Sequence, residues 1–121
     1  MNFLQHDQFD KELKKLSKKY RNIDTGLTAV ERLLEKQFDP TNPEEIIAPG
    51  KIHRVHQNAV WSLWKIEVAV PGSGLKPNQW PRMWFAVSGD KTVFLCIVAH
   101  MQNYDTNTVD GIAADRASDY F

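Results

Sequence analysis

Cysteine is nearly missing from this 121-residue chain. Cys96 stands alone, which excludes an internal disulfide framework, and its place in the apolar run Val93 to Val98 marks it as a small buried residue rather than a reactive thiol. Long hydrophobic runs are missing too: no apolar stretch reaches 18 residues, so no transmembrane helix is expected. The opening residues show neither a basic leader with an apolar core nor a cleavage site, and the expected compartment is the cytoplasm, without a membrane partner. Net charge is the third absence, because 15 Lys plus Arg cancel 15 Asp plus Glu, which argues against a uniformly basic nucleic-acid coat. Neither internal repeats nor low-complexity segments occur.

What is present describes one ordinary globular domain over residues 1–121, with 42% apolar and 25% charged residues. The charge is unevenly placed. Residues 51–100 carry six bases against two acids, whereas residues 37–50 and 101–121 are acidic. The basic stretch also holds His53, His56 and His100 and all four tryptophans, Trp61, Trp64, Trp80 and Trp84.

Periodicity divides the chain into elements. Residues 1–9 read as a short strand. Phe9, Leu13, Leu16 and Tyr20 recur at helical spacing and predict a helix from about Asp10. A second helix, capped by Asp24 or Thr25, carries Leu27, Val30, Leu33, Leu34 and Phe38 as its apolar stripe. Pro40, Pro43 and Pro49 make residues 39–50 a connector. From Ile52 the period becomes two: Trp64, Ile66, Val68 and Val70 face one side, Lys65 and Glu67 the other. A further strand from about Arg82 places Met83, Phe85 and Val87 on one face and Arg82, Trp84 and Ala86 on the other. The turn Ser88 to Lys91 returns the chain into Thr92–His100, apolar on both faces and therefore central. The tail has Ile112, Ala113, Ala117 and Tyr120 at roughly helical spacing. This order predicts an α+β fold in which a helical hairpin covers one face of an antiparallel sheet of about four strands, with a short C-terminal helix.

The opening FDKELKKLSKKY (Phe9 to Tyr20), the strand WKIEV (Trp64 to Val68), the hairpin PRMWFAVSGDKTVFLCIVAH (Pro81 to His100) and Tyr104 just beyond it carry a resemblance. Together they resemble the RelE/ParE superfamily of toxins from bacterial toxin-antitoxin modules. The resemblance implies a RelE-like domain and a ribosome-dependent endoribonuclease that cleaves mRNA, inhibits translation and is silenced by a cognate antitoxin. Its reaction is attack of the 2′-hydroxyl on the neighbouring phosphate, without metal or other cofactor.

Such a reaction needs a base for the hydroxyl proton, cations for the charge growing on the phosphorane and an acid for the leaving oxygen. By the resemblance, Arg82 is the phosphate ligand, since its planar fork binds two oxygens at once, and Lys65 is a second contact. His100 and Glu67 are the acid and base candidates, and Tyr104 donates a proton or stacks on a base. Lys51, Arg54 and Trp84 are the expected RNA contacts, Trp84 because it shares the face of Arg82. The lysines of the first helix fit either nucleic-acid phosphates or a plain solvated face. His53 and His56 lack a third ligand nearby, so no metal site is expected.

Two residues depart from the pattern. Glu67 stands where the family's ribonucleases usually carry a base, and Met101 where they commonly carry arginine. Both favour an alternative, a ParE-like protein that poisons DNA gyrase through surface contacts without catalysis. A third reading is an inactive RelE-fold binding protein.

Overall fold

A computed structural model describes residues 1–99 and 104–121. The order is β1 (Asn2–Gln5), α1 (Asp7–Ser17), α2 (Ile23–Gln37), β2 (Ile52–Gln57), β3 (Ser62–Glu67), a single 3₁₀ turn (Pro77–Gln79), β4 (Arg82–Ser88), β5 (Lys91–Val98) and α3 (Thr106–Ala117). The fold is α+β, and the sheet order is β1-β5-β4-β3-β2. The expected antiparallel sheet of about four strands is corrected to a mixed sheet of five. β2 to β5 form an antiparallel meander, and β1 lies parallel to β5 in the register Asn2↔Lys91 to Gln5↔Phe94.

Local sequence explains the element ends. α1 begins three residues before the predicted Asp10 because His6 caps it, its Nδ1 accepting from the Gln8 amide at 3.1 Å. The β4–β5 hairpin turns through Gly89 and Asp90, with Gly89 at φ +57°, the left-handed first position that a two-residue hairpin assigns to glycine. The connector after α2 is pinned by the Gln37 carboxamide oxygen, which accepts from the Ile46 and Ile47 amides at 2.9 and 3.1 Å. Ile47 is thereby drawn into the core.

Helices lie against both faces of the sheet. Against one face, α1 and α2 bury Phe9, Leu16, Ile23, Leu27, Val30 and Leu34 over Ile66, Met83, Phe85, Phe94 and Ile97. Leu33, placed in the apolar stripe from sequence, is instead 40% exposed. α2 approaches the chain after β3 so closely at Gly26 that a Cβ there would lie 1.7 Å from the Ala69 carbonyl oxygen.

On the other face, α3 buries Val109, Ala113 and Ala117 over Leu63, Trp84, Ala86, Val93 and Leu95. The helical stripe expected through Ile112 is corrected: Ile112 is exposed, and the buried positions are spaced by four. β5 serves both cores through a bulge. Trp84 pairs with Cys96 and Phe85 with Phe94, which leaves Leu95 as the extra residue and turns both Leu95 and Cys96 towards α3.

Candidate functional site

α3 covers only part of its face. At the other end of the meander, the strand register places residues of five chemistries in two adjacent rows. His53 is opposite Lys65, and Lys65 is opposite Trp84; one step along the sheet, Glu67 is opposite Arg82. Residues directly opposite on one face of an antiparallel pair stand about 5 Å apart at Cβ. Lys51, immediately before β2, continues the second row beside Glu67, and Lys51, His53, Lys65, Glu67 and Arg82 line one recess together with Gly50.

The recess holds three fixed cations and one histidine around a single carboxylate. Lys65, Glu67 and Arg82 are half-buried at its floor, and Lys51 and His53 are exposed at its mouth. Among the described residues, none of these five side chains makes an ion pair or a side-chain hydrogen bond. Half-buried arginine normally spends its donors on neighbours. Arg116 does so elsewhere in the fold, through bonds to Glu12, Leu95 and Cys96. Arg82 has equivalent donors at the recess, with no partner among the described residues.

The structure brings four of the sequence-predicted residues together: Lys51, Lys65, Glu67 and Arg82. It adds His53, which sequence reasoning weighed only as a metal ligand. The signal that could have found it is the register, because alternation from Ile52 fixes His53 on the opposite face from Ile52 and hence on that of Lys65.

Other expectations are corrected. Arg54 is opposite Trp64, on the face that packs against the helical hairpin, and its Nη1 donates to Gln57 Oε1 at 2.8 Å. It therefore faces away from the recess. Trp84 is not available to stack on a base: it is fully buried under α3, and its indole Nε1 donates to Asp110 Oδ1 at 2.7 Å. Tyr104 is half-buried with its ring edge-on to Trp84, the centroids 6.3 Å apart, and does not line the recess. His100 and Met101 lie outside the described residues.

Burial separates Cys96 from this chemistry. Desolvation pushes its thiol up to about 12 despite the nearby Arg116 guanidinium, so it remains protonated and unreactive in the folded chain. His56 is tilted against Trp61, ring centroids 5.5 Å apart, and belongs to the far end of β2.

Comparison of the chain with protein-family models, with curated proteins and with solved structures finds no match.

Proposed function

We propose that the recess formed by Lys51, His53, Lys65, Glu67 and Arg82 binds an RNA phosphate, and that the protein is a RelE-like toxin cleaving mRNA at the ribosome. The observation that carries this reading is the half-buried Arg82 guanidinium, which shares a recess with two lysines and has no partner among the described residues. A bidentate anion with two or more charges satisfies those donors, and a phosphodiester becoming a phosphorane gains the charge they are placed to meet. The element order of strand, helix, helix, meander and helix supports the same reading, as does the resemblance of the residues that fill it.

In this mechanism Arg82 holds the two non-bridging oxygens while Lys65 and Lys51 offset the second negative charge that develops as the phosphorane forms. Glu67, the carboxylate of the recess, takes the proton of the 2′-hydroxyl. His53 stands across the recess from Arg82 and returns a proton to the leaving 5′ oxygen, leaving a cyclic phosphate. The cognate antitoxin silences the toxin by covering this surface.

Induced expression tests the proposal. Growth arrest with new mRNA 5′ ends is expected, and Arg82→Ala should abolish both; arrest with intact transcripts overturns the nuclease claim.

One observation favours a second reading. Glu67 occupies the centre of the recess and reduces its positive potential at the point where a phosphorane would sit. A ParE-like gyrase inhibitor has no use for a stronger field there. Gyrase-linked DNA breaks and an SOS response on induction decide for that reading, and their absence decides against it.

A further inference from the structure

β2 begins only at Ile52, opposite Ile66, so the chain beyond Ile66 has no strand along its outer edge. In that gap, on the hairpin side of the sheet, lies an open cavity of about 300 Å³. Ala29 and Leu33 from α2, Ile46 from the connector and Trp80 supply apolar walls. Lys51, Ile66 and Glu67 line both this cavity and the cationic recess, so the two adjoin at the end of β2.

The cavity has one polar feature of its own. The Val68 amide donates to the Pro81 carbonyl at 2.8 Å, towards β4. Ala69 lines the cavity, and its amide has no hydrogen-bond partner among the described residues.

Apolar walls, one indole and one unspent donor suit a flat ring with a polar rim. The size lies at the lower bound of small-molecule sites, about 300 Å³ and upwards, and suits one ring system rather than a chain of them. We infer that this cavity takes the nucleobase adjoining the phosphate held by Arg82 and Lys65, an inference that rests on the RNA reading above. The base lies against Trp80 and the aliphatic wall of α2, accepts from the Ala69 amide and leaves its phosphate at the Lys51–Glu67 rim. Cleavage preference at one flanking nucleotide is then set on the hairpin side of the sheet, away from the reacting atoms.

Titration of the isotope-labelled full chain with each of four nucleoside 3′-monophosphates, and separately with inorganic phosphate, tests this by NMR. Inorganic phosphate is expected to shift only resonances of the recess. The nucleotides should shift the Ala69 amide and the Trp80 indole as well. Ala29→Leu, an exposed helix position that accepts leucine, fills the cavity and should weaken the nucleotides about tenfold without changing the response to phosphate. Nucleotides that reproduce only the phosphate pattern, or shifts that survive Ala29→Leu, overturn the base pocket while leaving the phosphate site standing. Silence from both probes overturns both.

Discussion

Arg116 and Glu12, 104 positions apart in the chain, close the open edge of β5 between them: the arginine Nη1 lies 3.0 Å from each glutamate oxygen. Each also satisfies the strand itself. Arg116 donates to the Leu95 carbonyl at 2.7 Å, and the Glu12 Oε1 accepts from the Ile97 amide at 3.2 Å. β1 stops pairing at Phe94, so these are backbone groups that a longer β1 would have taken. The ion pair thus replaces two rungs of a ladder and joins α1 to α3 around the edge of the sheet.

Removing either partner leaves the other charge half-buried and a strand group unmet. Arg116→Ala and Glu12→Ala should each destabilise the fold by about 2 kcal/mol, and the double variant by clearly less than the sum. Urea unfolding of the three variants measures the coupling; additive losses would show that the pair and the strand edge act independently.

Gly26 tests how tightly α2 meets the sheet. In an open helix Gly→Ala gains about 1 kcal/mol of helix propensity. Here the new Cβ meets the Ala69 carbonyl oxygen at 1.7 Å. Gly26→Ala should therefore cost about 3 kcal/mol as backbone is pushed apart, seen as a lower thermal midpoint. An unchanged or higher midpoint would show that α2 sits farther from Ala69.

Trp84 separates stability from recognition. Trp84→Phe keeps most of the ring volume but leaves Asp110 Oδ1 without the indole donor, at an expected cost of about 1–2 kcal/mol. If the recess binds RNA as proposed, RNA affinity should not change. Arg82→Ala should do the reverse, with near-native stability and a salt slope of binding shallower by about one. A Trp84→Phe protein that stays stable but loses RNA would restore the stacking role.

Cys96 predicts an alkaline limit. Its thiol is raised in the folded chain from 9.0 to about 12, so its contribution to stability is intact below pH 9 and is lost as pH rises towards 12, because the unfolded chain ionises first. Over that window each pH unit favours unfolding by up to about 1.4 kcal/mol through this group. Cys96→Ala should remove that part of the decline, read as the difference in urea midpoints between pH 8 and pH 10.5. Parallel declines in the two proteins would place the loss in other groups.

Much of the fold was legible because large apolar residues mark it. Phe9, Leu16 and Tyr20 announce α1, Leu27, Val30 and Leu34 announce α2, and Met83, Phe85 and Val87 alternate as a strand must. The rest was hidden for physical reasons. The opening reads as a strand, but β1 spans four residues with no inward and outward alternation, so nothing in it signals that it runs parallel to β5 at the sheet edge. α3 buries one valine and two alanines, an inward face too weakly apolar to show that the helix covers the Trp84 side of the sheet. Without that cover, Trp84 reads as a stacking residue on the face of Arg82. Lys65, Glu67 and Arg82 share a face by simple alternation, whereas adding His53 required the β2–β3 register, which lies in no single strand.

The parallel pairing of Asn2 with Lys91 gives the chain an order of assembly. The meander and the two helices are contiguous and can form as they emerge during synthesis, but β1 has no partner until the last strand is made. The Tyr120 hydroxyl on Gln5, Asp119 on His6 and Arg116 on Glu12 then fasten the first residues to the last. α3 acts as a seal: until it docks, the edge of β5 beyond Phe94 and the ring of Trp84 are uncovered, and a bare strand edge beside exposed apolar surface is what invites aggregation.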